Sequence, residues 1–236
     1  MPTEVTFRSD VTVEYRDHMG SDERIVEAML VSTDAAAAAA DLAKQPGRIN
    51  FLMRDRHGSP FEHTALQFVV EAPIFVFREW HRHRIGFSYN EMSGRYSILP
   101  ATYYVIGYDR NTIQVGKPGA YSFEPGDPEL QEWLIGDMKE ESLENYARYE
   151  RRLEKGIARE VARMGLGVNI FTKMYVTLNA RSCMSFLSLR TKRENSTFPS
   201  FPQREIEMCA EIVEDHFARI FPLTYKAFEA NGRVSP

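Results

Sequence analysis

Residues 64–96 read TALQFVVEAPIFVFREWHRHRIGFSYNEMSGRY, and the division of this stretch into elements decides the architecture. Its first part, TALQFVVEA (64–72), alternates in polarity and is rich in β-branched and aromatic residues, which predicts a strand. Pro73 follows, and PIFVFREWHRHR (73–84) predicts a helix with proline at its first position. On such a helix Glu79 and Arg82 share a face, as do Arg78 and Arg82. The alternation of Phe75 and Phe77 keeps a strand as the rival reading.

Outward from this stretch, apolar residues alternate at Val5, Phe7, Val11, Val13 and Tyr15, predicting a strand pair or one broken strand. Ser21 stands before DERIVEAML as an N-cap with acidic residues in the first turn. The run Ala35–Ala40 predicts a helix from propensity alone, and QPGRINFLMRDRHG (45–58) a short helix stopped near Gly58. Residues 105–127 read as a loop-rich hairpin or excursion, and 128–163 as charged and helical with a break near Gly156. Residues 174–190 predict a further helix. Pro202 opens an amphipathic one with Ile206, Ala210, Val213 and Phe217 on one face, which Pro222 ends or kinks. With no repeat and no linker, one domain spanning 1–236 is expected.

The chain is 43% apolar and 26% charged, with a formal net charge of −4. Its basic stretch is therefore a local concentration, which argues against a generally nucleic-acid-binding surface. Two cysteines without a CxxC pair predict a reducing compartment. No apolar leader opens the sequence and no run approaches the ~18 residues of a membrane span, so a cytoplasmic protein without a membrane partner is expected.

Between residues 78 and 95, Arg78, Arg82, Arg84 and Arg95 outnumber Glu79 and Glu91. Interleaved Trp80, Phe87, Tyr89 and Tyr96 imply partial burial, and a buried unpaired guanidinium is costly. Anions from a ligand or a second subunit would meet that surplus, and phosphate suits the guanidinium fork. A solvated charged face and an RNA-binding patch stay open beside this reading. His81 and His83 lie two apart, but no cysteine or carboxylate cluster completes a metal site, so no metal is expected. Cys183 has no base near it in sequence and reads as a core residue. Neither GxGxxG nor GxxxxGK[ST] occurs. Asn179, Cys183, Phe186 and Arg190 fall on one helical face, which suits either a ligand or a plain N-cap with a dipole-favoured arginine at the far end.

Three blocks, HGSPFEH (57–63), RHRIGFSYNEMSGRY (82–96) and NARSCMSFLSLR (179–190), resemble the flavin-dependent thymidylate synthases, the ThyX family, in order and spacing. The tail segments FPSFPQREIEM (198–208) and PLTYKAFEANGRV (222–234) also look like actinobacterial members. The resemblance implies a single α+β domain, with a twisted, mainly antiparallel sheet flanked by helices, and a homotetramer with shared active sites. It implies FAD as cofactor, NADPH and methylenetetrahydrofolate as co-substrates, and methylation at C5 of a uridine monophosphate without a cysteine nucleophile.

By the same resemblance His57, Ser59, Arg82, His83, Arg84, Glu91, Asn179, Arg181 and Ser185 are flavin contacts. Glu79, Arg82, Glu91, Ser93, Gly94, Arg95, Arg163 and Arg190 are nucleotide contacts, with Arg190 the catalytic cation that favours the ionised uracil. Three departures stand out. Eight residues separate the Arg82–Arg84 triplet from Ser93 where the usual signature has seven. Leu166-Gly167 replaces Leu-Pro, and Glu79 stands where relatives often have glutamine. Family paralogues in nucleoside-antibiotic pathways methylate UMP, so dUMP and UMP both stay open as substrates. The rival outside enzymology is a non-catalytic nucleic-acid-binding module.

Overall fold

A computed structural model describes residues 4–33, 41–117 and 120–236; the alanine-run helix lies outside them. Along the chain run β1 (Thr6–Arg8), β2 (Thr12–Met19), α1 (Asp22–Leu30), α2 (Gln45–Arg54), β3 (Ala65–Pro73) and α3 (Ile74–Trp80). Then come β4 (Phe87–Glu91), β5 (Thr102–Tyr104), β6 (Ile113–Lys117) and β7 (Ala120–Glu124). The remainder holds α4 (Pro128–Glu154), α5 (Arg159–Ala162), β8 (Phe171–Leu178), α6 (Ala180–Arg190), α7 (Arg204–Ile220) and α8 (Pro222–Ala230). Four strands form one sheet in the order β2-β3-β8-β4. Strands β6 and β7 make the expected antiparallel hairpin. The mixture of helix and sheet is α+β as expected, although β1 and β5 pair in parallel, with Thr6 opposite Thr102.

The chain divides into two compact units, each built from three segments: residues up to Thr12, Glu71–Glu79 and Glu91–Met174 in the first, Val13–Val70, Trp80–Asn90 and Tyr175–Pro236 in the second. In the first unit Tyr146 and Tyr149 of α4 pack with Leu99, Tyr103 and Ile170 in a buried cluster. The Tyr146 hydroxyl donates to the Leu99 carbonyl at 3.0 Å, and the Leu99 amide donates to the Tyr149 hydroxyl at 3.4 Å. Both backbone groups of one buried residue are thereby satisfied, as burial demands. In the second unit α7 packs against α6 and turns Ile206, Ala210, Val213 and Phe217 fully inward, the face its spacing predicts.

Ser21 caps α1 as expected, its hydroxyl accepting from the Arg24 amide. Helix α4 ends at Glu154 and Gly156 follows with φ +78°, a left-handed position that favours glycine. Pro222 opens α8 directly behind α7. The buried Asp22 carboxylate accepts the Leu223 and Thr224 amides at 2.8 and 3.0 Å and the Thr224 hydroxyl at 2.6 Å. Those amides are orphans of a helix start, and a buried anion there meets both their hydrogen-bonding need and the helix dipole.

Three expectations are corrected. The helix predicted over 174–190 is a strand followed by a helix: FTKMYVTL alternates buried and exposed residues in β8, and Asn179 starts the helix only at Ala180. The helix predicted over 73–84 begins at Ile74 and stops at Trp80, so Glu79 and Arg82 do not share a helical face. The alternating N-terminal residues form two strands that pair elsewhere, β1 with β5 and β2 with β3. Asp22→Ala should destabilise the fold by about 2–3 kcal/mol, since three donors lose one buried acceptor, read as a lower urea midpoint with an unchanged m-value.

Candidate active site

In the second unit the chain leaves α3 through a tight turn in which the His83 amide donates to the Trp80 carbonyl at 2.9 Å. The Tyr89 hydroxyl lies 2.6 Å from the His83 carbonyl and 2.9 Å from that of Trp80. It has one proton and gives it to this pair, and burial pushes its acidity well below the ordinary phenol. Gly86 follows with φ +69°, and a side chain there would run into Ser182 Oγ and Asn179 Nδ2. The Ser182 hydroxyl donates to the Ile85 carbonyl at 2.7 Å. The turn is thus sewn to the start of α6, where the Asn179 side chain accepts the Ser182 amide at 2.8 Å.

Arg190 sits at the opposite end of α6 and donates through Nε to His83 Nε2 at 3.0 Å. The His83 ring packs edge-on to Phe186, with centroids 5.1 Å apart, and is tilted against Phe87. Burial, and then the Arg190 charge, push His83 down to about 4. The imidazole is therefore neutral at pH 7, with its proton on Nδ1 and Nε2 free to accept.

The cationic stretch is partly buried, as expected, but its arginines are not. Trp80 is fully enclosed, but Arg78, Arg82, Arg84 and Arg95 are exposed, and so is Tyr96. Because α3 ends at Trp80, the arginines after it leave the core along the turn. Arg82 has no polar partner among the described residues; Arg84 donates Nε to the His81 carbonyl at 3.4 Å. His57 and Ser59 are exposed on the segment around Gly58, with the His57 ring stacked on Phe51 at 5.3 Å. Arg181 lies over Gly58 with its donors engaged, by Glu62 at 2.6 Å and the Pro236 carbonyl at 2.5 Å. Ser185 is exposed on α6.

In the first unit Ser93 forms a tight turn, its carbonyl accepting the Tyr96 and Ser97 amides and its hydroxyl the Arg95 amide at 3.3 Å. Gly94 is buried beneath the side chains of Arg163 and Leu99, which a Cβ would meet at 3.0 and 3.2 Å. The Arg163 side chain is thus brought over Gly94, which Ser93 and Arg95 flank in the chain. Arg95 pairs with Glu160 at 3.0 Å. Glu79 and Glu91 belong to this unit and each has a polar partner. Gly167 leaves room for Asn169, whose Oδ1 would lie 2.6 Å from a Cβ at 167, and whose amide nitrogen donates to Ser142 Oγ at 3.1 Å.

A family model described as thymidylate synthase complementing protein (Thy1) matches residues 15–223. The chain belongs to this family. Flavin-dependent thymidylate synthase from Streptomyces avermitilis is 52% identical over 98% of this chain and 96% of its own length. The Tropheryma whipplei enzyme of the same name (strain TW08/27) is 52% identical over 98% and 97%. Among solved structures, a UMP/dUMP methylase, PolB from Streptomyces cacaoi with 5-Br UMP bound, superposes with a TM-score of 0.92 at 44% identity, covering 99% of this chain and all of that one. The same methylase with 5-Br dUMP gives 0.92.

Thy1 membership supports no nucleic-acid-binding module. Cys183 is fully buried with burial pushing its thiol up, and Cys209 is pushed up to about 12, so neither is a ready nucleophile. Residue patterns missed the pairing of His83 with Arg190, the Tyr89 pin and the Glu160 partner of Arg95, all of which join residues distant in sequence. Gly86 carried a local turn signal before an aromatic strand.

His83 has a folded value below the ordinary 6.5, so the unfolded chain takes up the proton first. Its contribution to stability is complete above about pH 6.5 and is lost as pH falls toward 4, at no more than about 1.4 kcal/mol per pH unit. The half-buried His216, also shifted down by burial, acts with the same sign. Urea midpoints between pH 7 and 5 should fall in the wild type and fall less steeply in His83→Gln.

Proposed function

We propose that this chain methylates C5 of a uridine monophosphate reductively, with FAD as cofactor. The near end-to-end match to flavin-dependent thymidylate synthases and to a UMP/dUMP methylase carries this reading. The reaction joins the nucleotide, methylenetetrahydrofolate, NADPH and a proton to give the 5-methyl nucleotide, tetrahydrofolate and NADP+. C5 gains a methyl and releases its proton, and the folate donor loses one carbon.

The donor chemistry of the chain suits a dinucleotide cofactor. The exposed guanidiniums of Arg82 and Arg84 stand two residues apart in one turn, and such forks match diphosphate oxygens. His57, Ser59, His83, Glu91, Asn179 and Ser185 complete the proposed flavin set. Arg181, already held by Glu62 and Pro236, shapes the segment at Gly58 in this reading. FAD, when bound and reduced by NADPH, supplies the hydride that completes the methyl group.

The chain's own residues bind and polarise the nucleotide. Ser93, Gly94, Arg95 and Arg163 form the phosphate end, with Glu79, Arg82 and Glu91 as further contacts. Arg190 lies against the pyrimidine, where a fixed cation stabilises the N3-deprotonated ring and raises electron density at C5. Assembly as a homotetramer with shared sites belongs to the same proposal. It is supported by the near end-to-end match to the same family.

Both sugars are substrates under this proposal; the methylase solved with 5-Br UMP and 5-Br dUMP favours that over dUMP alone. Incubation with FAD, NADPH, methylenetetrahydrofolate and each nucleotide should give a 14-dalton mass gain (about one CH2) on both, and a colourless, inactive protein would overturn the reading. Arg190→Ala should retain FAD and lose turnover about 100-fold or more, the loss typical of a single stabilising donor. Ser93→Ala should weaken nucleotide binding by about 1–3 kcal/mol, measured calorimetrically.

A further inference from the structure

Two adjacent residues of α5, neither of them among the nucleotide contacts above, hold two adjacent residues of the turn that begins at Ser93. Arg159 donates from Nη1 to the Tyr96 carbonyl at 3.1 Å, and Glu160 accepts the Nε–H of Arg95 at 3.0 Å. We infer that Glu160 is a positioning residue for the nucleotide phosphate. It orients the Arg95 guanidinium through Nε and leaves the terminal nitrogens for phosphate oxygens, while Arg159 holds the backbone of the next residue. The inference rests on the function proposed above, in which Arg95 meets the phosphate.

The backbone is anchored on both sides of this contact. The turn is closed by the Ser93 carbonyl, which accepts the Tyr96 and Ser97 amides at 3.1 and 3.0 Å, and by the Ser93 hydroxyl, which accepts the Arg95 amide at 3.3 Å. Helix α5 is tied to α4 by Arg152, whose Nη1 donates to the carbonyl of the buried Ala162 at 2.9 Å. The Arg95 guanidinium also lies over the Tyr96 ring, 5.7 Å from its centroid. What remains to be ordered is the side chain of Arg95 itself, and Glu160 supplies the hold.

A guanidinium is planar and delocalised, so fixing the direction of one N–H fixes the plane of the whole group. Glu160 engages Nε alone, and the two terminal nitrogens of Arg95 have no hydrogen-bond partner among the described residues. They form the end-on fork that suits two oxygens of a phosphate. An arginine loose on its stem loses rotamers when it binds, whereas one already held has lost them beforehand. The carboxylate works against this gain, because it repels a phosphate that shares its guanidinium. With the two side chains 56% and 53% exposed, water and salt weaken that repulsion, and orientation is the larger effect.

A double-mutant cycle with Arg95 on the FAD-loaded protein tests this, with 5-bromo-UMP binding measured calorimetrically and bound flavin by visible absorbance. Glu160→Ala should keep FAD and weaken 5-bromo-UMP binding about fivefold, the effect of leaving one long side chain to be ordered on binding. Its urea midpoint should match the wild type, because an exposed ion pair contributes little to stability. In an Arg95→Ala background the same change should alter affinity less than about twofold, since Glu160 acts through Arg95. Glu160→Gln keeps an oxygen to accept Nε–H and removes the charge. It should bind 5-bromo-UMP at least as tightly as the wild type, with any advantage shrinking as salt is added. If the alanine variant does not fold, Glu160→Ser, too short to reach Arg95, takes its place in the cycle. Wild-type binding by the alanine variant, weaker than wild-type binding by the glutamine variant, or equal losses with and without Arg95 would each overturn the positioning role. Failure of the wild type itself to bind 5-bromo-UMP or to turn over would instead overturn the functional reading.

Discussion

Trp80 lies stacked on Phe186 with ring centroids 4.2 Å apart and planes 24° from parallel, both side chains fully enclosed. This contact ties the end of α3 to the middle of α6 and fixes where the following turn can run. Two buried aromatic rings contribute several kcal/mol through removed apolar area, plus about 0.5–1.5 kcal/mol from their mutual orientation. The polar chemistry of the second unit is arranged around that anchor. His83 packs on the same Phe186 and Arg190 reaches His83. Ile85 and Gly86 close on Ser182 and Asn179 at the helix start.

The anchor also explains why a chain of negative net charge carries an exposed arginine cluster. Tryptophan and histidine enter the core, so the residues between and after them must turn outward. His83 tolerates the interior because it stays neutral, whereas Arg82 and Arg84 on either side of it do not enter. Alternation along a turn thus sorts one tripeptide into an internal acceptor and two external cations. The first unit handles its charges differently, pairing Arg95 with Glu160 and laying Arg163 over a glycine that has no side chain to obstruct it.

Local chemistry was readable where it was self-contained. The Ser21 cap, the Gly156 break, the inward face of α7 and the stop of that helix before Pro222 each depend on a few neighbouring residues, and all appear as expected. The misreadings arose where tertiary context decides. FTKMYVTL has helical-looking spacing when read together with ARSCMSFLSLR, and only the four-stranded sheet makes its alternation decisive. The extension of α3 past Trp80 failed because the turn is held by the Tyr89 hydroxyl, nine residues downstream. For the site, the motif order carried the family, and the motif residues could be named. Their mutual contacts, above all the bond between His83 and Arg190 across 107 positions, have no trace in local sequence.

Arg233 bears on the order in which the polypeptide can close. Its guanidinium is wholly buried, paired with Glu214 at 2.6 Å and with Glu229, and it reaches Thr191 behind Arg190. Glu214 also takes Arg193 at 2.6 Å and the Tyr225 hydroxyl at 3.1 Å. On the ribosome every other member of this network emerges before Arg233. Until then the nascent chain holds a glutamate destined for the interior without its buried counterion, a state that is unfavourable to enclose. Closure of the interior around α6 is thereby coupled to the emergence of Arg233, and the end of the helix that carries Arg190 settles only after it.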